Sequence, residues 1–254
     1  MNKTVLITGA TAGFGEACAH EFAMHGYDLI ISGRRAEKLA QVSKEIQSNY
    51  NTNILELCFD VRDQEAVDSA IAGIPATIKN TISILINNAG LAVGKGPIDE
   101  GITDDWERMI DTNVKGLLYV SKAVIPILKQ NRSGQIINIA SIAGKQVYPG
   151  GNVYCATKHA VDALSQAMRI DLVSHGIKVT NIAPGAAETE FSVVRFKGDQ
   201  ETANAVYDGF DPLTAKDIAE TVYFAASRPA HVTLNDIVIM PTAQASPTVL
   251  YKKN

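Results

Sequence analysis

Cysteine is scarce: Cys18, Cys58 and Cys155 are the only three in 254 residues, and they form no C-x-x-C pair. They cannot build a disulfide framework, and such sparing use points to a reducing compartment, so a cytoplasmic location is expected. The five histidines are scattered, with no H-E-x-x-H and no Cys/His cluster, so no protein metal site is expected. No apolar stretch reaches the ~18 residues that a membrane span requires. Strand character begins by Thr4, which leaves no room for a signal peptide. The net charge is −4 and no block of five or more like charges occurs; Lys252 and Lys253 are too few for a basic tail. Neither nucleic acid nor an anionic membrane surface is therefore expected as a partner. Linkers, low-complexity segments and internal repeats are also missing, so residues 1–254 are read as a single domain.

What is present is a rhythm of short apolar runs and amphipathic stretches. TVLIT (4–8), YDLIIS (27–32), NILELCF (53–59), SILIN (83–87), GQIINIA (134–140), GIKVTNIA (176–183) and NDIVIM (235–240) read as strands. They are nearly continuous in Ile, Val and Leu, as strands buried on both faces require. Helical patterns lie between them at 13–26, 36–49, 63–72, 103–130, 151–175 and 214–227. The alternation predicts an α/β fold: a doubly wound parallel sheet of about seven strands with helices on both faces. Residues 185–212 show the least pattern and are a candidate substrate lid.

The stretch TGATAGFG (8–15) falls after the first strand and before the first helix. Glycines there let backbone approach a pyrophosphate, and a helix N-terminus adds N–H donors. The spacing is G-x-x-x-G-x-G rather than G-x-G-x-x-G, and a plain strand-to-helix turn is the alternative. At the end of the second strand, Ser32-Gly33-Arg34-Arg35 stands where NAD-binding folds usually carry an acid. An arginine fork matches the 2′-phosphate of NADP; the alternative is two solvated arginines. In FDVRD, Asp60 is placed to reach an adenine amine or to cap the next helix. NNAG (87–90) is small enough to let a cofactor ribose lie against backbone.

Tyr154 and Lys158 lie four apart on a predicted helix and share a face. A free tyrosine has a pKa of ~10 and is no base near neutrality, but a lysine ammonium and an oxidised nicotinamide beside it favour the phenolate. Ser141, at the end of the fifth strand, offers a hydroxyl to a substrate oxygen. Taken alone, Y-x-x-x-K is also a common surface helix pair.

TGATAGFG, NNAG, Asn113 in DTNVKG, Ser141, Tyr154-x-x-x-Lys158 and Pro184-Gly185 together resemble the short-chain dehydrogenase/reductase family across essentially the whole chain. The resemblance implies a Rossmann-type fold with Tyr154 as general acid/base. Lys158 then lowers the pKa of Tyr154 and holds the nicotinamide ribose, Ser141 polarises the carbonyl, and Asn113 anchors a water in a relay to Lys158. It brings Gly9, Thr11, Gly13, Phe14 and Gly15 to the cofactor, with Arg34, Arg35, Asp60 and Val61 at the adenosine end. Asn87, Ala89, Gly90, Tyr154, Lys158, Pro184, Gly185 and Thr189 complete the cofactor set, Thr189 at the carboxamide. Related enzymes pair the stretches 103–130 and 151–175 between subunits, implying a homotetramer.

Within the family, ETEFSVVRFKGD (188–199), RPAHV (228–232) and MPT (240–242) are most similar to NADP-dependent dehydrogenases of short 3-hydroxy acids, whose substrates include serine and L-allo-threonine. The other expectations are a 3-oxoacyl-carrier-protein reductase, a broad small-carbonyl reductase, and a non-catalytic NADP-binding sensor. A short acid needs its carboxylate held, and Arg195, shortly after Thr189, is the candidate. The alternative leaves Arg195 solvated or paired with an acidic neighbour.

Overall fold

The computed structural model describes residues 3–132 and 134–253. Seven strands are present: β1 (Thr4–Thr8), β2 (Asp28–Gly33), β3 (Ile54–Cys58), β4 (Ile82–Asn87), β5 (Gly134–Ile139), β6 (Ile177–Pro184) and β7 (Asp236–Ile239). They form one parallel sheet in the order β3-β2-β1-β4-β5-β6-β7. The doubly wound expectation is met. The order reverses direction between β1 and β4, the crevice where open α/β sheets receive ligands.

The side-chain alternation of the strands divides the core in two. Val5 and Ile7, Leu29 and Ile31, and Ile137 and Ile139 point to one face. There they meet α1 (Gly13–Met24), α2 (Ala36–Asn49) and α10 (Ala215–Ala226). Leu6, Ile30, Leu85 and Ile136 point to the other, against α3 (Gln64–Ala72), α6 (Leu117–Gln130) and α7 (Asn152–Leu172). Asp63 caps α3, its side chain accepting from the Ala66 N–H. Thr214 and Asp217 form a capping box at the start of α10.

The helices depart from the sequence reading at three places. The short helix α4 (Ala76–Lys79) lies between α3 and β4. The stretch 103–130 is not one uniform helix: α5 (Thr103–Ile110) and α6 are joined by a π-helical turn, Asp111–Gly116. The third place is 185–212, which contains α8 (Glu190–Arg195) and α9 (Gln200–Ala205). Among the described residues no helix is long and apolar enough to cross a membrane.

Candidate active site

The segments leaving the carboxyl ends of β1 to β6 wall one cleft of about 570 Å³. The chain turns sharply after β1 because Gly9 (φ +67°) and Gly13 (φ +58°) adopt left-handed backbone that side chains disfavour. A Cβ on Gly9 would lie 3.0 Å from the Ala89 Cα. The loop after β4 is therefore packed directly on the glycine turn. Asn88 secures this contact, its Nδ2 donating to the Thr8 carbonyl (2.9 Å) and the Gly9 carbonyl (3.1 Å). In return Thr8 Oγ1 accepts from the backbone N–H groups of Asn88 and Ala89. Ala12, at the N-cap of α1, provides no side-chain cap. The first N–H groups of that helix are thus left for an anion.

Gly9, Thr11, Gly13, Phe14, Arg34, Arg35, Asp60, Val61, Ala89, Gly90, Pro184, Gly185 and Thr189 all line the cleft. Two residues of the expected cofactor set do not. Asn87 is buried beneath the cleft, donating to Ser121 Oγ and Asn138 Oδ1, both at 2.9 Å. It is the last residue of β4, and the alternation of the strand turns it into the core; its neighbour Asn88 faces the cleft instead. Gly15 is not a wall residue either. A Cβ there would strike the Gly9 carbonyl and Asn88 Nδ2, so its role is close packing of helix against loop.

At the β2 end, Arg35 donates to Thr11 Oγ1 through Nε (3.2 Å) and Nη2 (2.9 Å), and pairs with Glu190 at 3.3 Å. Arg34 is more exposed and lies 3.7 Å from Asp60. Asp60 does not cap α3. Burial works against its charge, but hydrogen bonds from Arg62 hold the carboxyl below the usual carboxylate range. The Arg62 guanidinium grips both carboxylate oxygens at 2.7–3.1 Å.

At the other end lie Ser141, Tyr154 and Lys158. α7 carries Tyr154 and Lys158 on one face, while Ser141 follows β5 and accepts from the Ala143 N–H (3.1 Å). Lys158 Nζ donates to the Ile139 carbonyl at 2.8 Å and stands 5.9 Å from the Tyr154 ring centroid. Burial pushes the Tyr154 phenol well above its usual pKa, and Tyr148 adds to this; the neighbouring Ser141 hydroxyl and the charge of Arg195 pull it down. Burial alone lowers Lys158 to about 8. The expected lowering of the phenol by Lys158 is thus not found in the protein by itself, because desolvation drives both groups toward neutrality.

Asn113 sits in the π-helical turn, a distortion frequent at functional sites. Its Oδ1 accepts from the Leu91 N–H at 2.8 Å, and its Nδ2 donates to the Leu91 carbonyl (2.8 Å) and Thr157 Oγ1 (3.0 Å). Both amide protons are occupied by protein, so a water can meet the side chain only at the remaining lone pair of Oδ1. Asn113 itself does not line the cleft. Its side chain fixes Leu91, and through Thr157 the start of α7.

Arg195, from α8, reaches over this end. Its guanidinium carbon lies 5.4 Å from the Tyr148 centroid and 5.7 Å from that of Tyr154. Its Nε is buried without a partner, and among the described residues it makes no ion pair. The main chain at Arg195 is pinned by the Gly94 N–H, which donates to its carbonyl (3.0 Å). Lys197 pairs with the buried Asp105 on α5 at 2.7 Å. Tyr207 closes the segment from beneath, donating to the Ala187 carbonyl (2.7 Å). Lys95, Arg108, Tyr148 and Tyr207 line the cleft although sequence reasoning did not single them out. They belong to no spaced motif, and only the fold brings them there. Glu16, His20 and Glu45 offer ligand atoms within 4.8 Å of one another, outside the cleft walls.

Residues 3–200 match the family model described as short chain dehydrogenase. The chain belongs to that family. It is 44% identical over 246 residues to sulfoacetaldehyde reductase 2 of Chromohalobacter salexigens, covering 96% of each chain. Identity to the NADP-dependent 3-hydroxy acid dehydrogenase YdfG of Salmonella typhi is 46% over 242 residues, 95% of this chain and 96% of that one. The solved closed form of a serine dehydrogenase complexed with NADP+ superposes with a TM-score of 0.91 at 43% identity, covering 99% of this chain and 100% of that one.

Proposed function

We propose that this protein is an NADP-dependent oxidoreductase that moves hydride between the nicotinamide and the carbinol carbon of a short hydroxy acid. One observation carries the reading. The buried Tyr154 phenol and Ser141 share one end of a cleft whose other end is a glycine turn flanked by Arg34 and Arg35. The glycine turn, the uncapped start of α1 and the two arginines fit a dinucleotide with a 2′-phosphate. The relatives named for NADP support the same choice.

When bound, the cofactor supplies the hydride acceptor and the positive charge that favours a phenolate. In the oxidation direction Tyr154 takes the proton of the substrate hydroxyl as hydride leaves the carbinol carbon. In reduction it returns that proton to the carbonyl oxygen, while Ser141 donates a hydrogen bond to the same oxygen. Lys158 places an ammonium beside the phenol, where its charge favours the phenolate, and would hold the nicotinamide ribose. Asn113 serves as a positioning residue through Leu91 and Thr157.

The segment 185–212 acts as the lid over the substrate, within a single catalytic domain. Arg195 holds the acid group, and its buried, unpartnered Nε supports that role. A sulfonate would meet the same donor, so a sulfonated aldehyde, as in the name of the reductase relative, is the second reading.

The active form is a homotetramer. Ile110, Leu118 and Ile170 on the helices α5 to α7, Val173 just after α7, Phe224 on α10, Val238 in β7, and Val249 and Tyr251 beyond it are exposed apolar side chains suited to subunit contacts. Three free thiols suit the cytoplasm.

The test follows NADPH absorbance across serine, L-allo-threonine, 3-hydroxybutyrate, sulfoacetaldehyde and neutral alcohols. Tyr154→Phe should cut turnover ~10²–10⁴-fold, the usual share of a general acid/base, and leave NADPH binding intact. Turnover within a few-fold of wild type would refute the assignment.

A further inference from the structure

Two of the buried side-chain atoms without a hydrogen-bond partner belong to cleft-lining residues: Arg195 Nε, at the substrate end, and Thr112 Oγ1. Thr112 is only 8% exposed and sits in the π-helical turn beside Asn113. Helical hydroxyls ordinarily return to a carbonyl one turn back. Elsewhere in this protein they do: Ser165 Oγ donates to the Val161 carbonyl (2.7 Å) and Thr221 Oγ1 to the Asp217 carbonyl (2.8 Å). The changed register of the π turn leaves Thr112 without such a bond. A buried hydroxyl in this state is costly unless something else meets it.

The turn also fixes where along the cleft that hydroxyl lies. A Cβ on Gly116, at the end of the same turn, would lie 2.7 Å from Val61 Cγ2 and 3.2 Å from the Val61 carbonyl. The Gly116 face of the turn, which Thr112 shares one turn earlier, is therefore packed on the loop after β3, next to Asp60 and the β2 arginines, while Asn113 reaches Thr157 on α7. We infer that the Thr112 hydroxyl is a direct hydrogen-bonding ligand of the adenosine half of the dinucleotide. This rests on the NADP reading above. The methyl group of Thr112 keeps the wall closed, and the hydroxyl gives it one polar contact that valine would lack.

The two ideas separate experimentally. Calorimetry with NADPH and with adenosine 2′,5′-bisphosphate, which lacks the nicotinamide half, is run on wild type, Thr112→Val and Thr112→Ser. If wild type binds neither compound, the NADP reading itself fails. Thr112→Val should weaken both compounds by the same factor, about threefold to tenfold, the size of one net hydrogen bond. Thr112→Ser should stay within about twofold of wild type for both, on the same scale. Because Thr112→Val removes an unpaired buried hydroxyl, the melting temperature of the ligand-free protein should hold or rise. Three results would overturn the inference: unchanged affinities, a loss confined to NADPH, or a fall in ligand-free melting temperature with binding intact. The last would show that the hydroxyl serves the fold.

Discussion

Removing the Arg195 side chain gives the sharpest test of how substrate is held. The guanidinium lies over Tyr148 and Tyr154, and its Nε has no partner in the protein. Arg195→Ala therefore breaks no ion pair within the chain. The hydrogen bond from Gly94 to residue 195 is made to the backbone carbonyl and survives the substitution. What disappears is a charge-assisted donor, worth ~1.5–3 kcal/mol. That is roughly a tenfold to hundredfold rise in KM for serine or 3-hydroxybutyrate, by the same scale. A neutral secondary alcohol of equal length never used the donor and should change by no more than about threefold, from lost packing on the tyrosine rings. Arg195→Lys should fall between, since lysine keeps the charge and loses the fork. Initial rates with both substrate types on the three proteins supply the comparison. Equal losses for the acid and the neutral alcohol would refute the clamp and make Arg195 a structural part of the 185–212 segment.

Lys158 carries a stability cost. Burial lowers it from 10.5 to about 8, so the unfolded chain binds more protons between those values and folding gains as pH rises through them. Lys158→Met should raise the stability of the ligand-free protein near neutrality, by as much as about 3 kcal/mol, while activity collapses. The gap from wild type should shrink between pH 8 and 10.5; a destabilised variant in urea melts would contradict this. Arg34→Ala should weaken NADPH about tenfold or more and leave NADH nearly unchanged. Matching losses in fluorescence titrations would mean that Arg34 supports the loop and not the 2′-phosphate.

Much of this architecture was legible because each strand is a near-continuous Ile, Val or Leu run, and only burial on both faces sustains such a run. Tyr154, Lys158 and Ser141 were legible for another reason: the spacing on one helix and the position after a strand constrain them locally. The side chain of Asn87 was less legible, because a composition motif, NNAG, does not say which asparagine the strand alternation turns inward. Asn113 interrupts an apolar helical stretch, and the interruption is real, but nothing in six residues of sequence distinguishes a kink from a π turn. Thr112, Tyr148 and Tyr207 reach the cleft through long-range packing, for which no local pattern exists. Asp60 shows a different limit: its partner Arg62 is only two residues away, but the sequence does not say that the turn folds the guanidinium back onto the carboxylate.

The two helices within 185–212 are six residues each, far below the ~12–15 at which an isolated helix holds itself in water. Their order is therefore borrowed from Tyr207 on Ala187, Lys197 on Asp105 and Glu190 on Arg35. Amide hydrogens from 190 to 205 should exchange through local openings long before those of β1, β4 or β5, which open only with the whole molecule. Arg35 belongs to the glycine-turn side of the cleft, so a ligand seated there shares a guanidinium with α8. Protease resistance of this one segment thus becomes a gauge of cleft occupancy that needs no turnover at all.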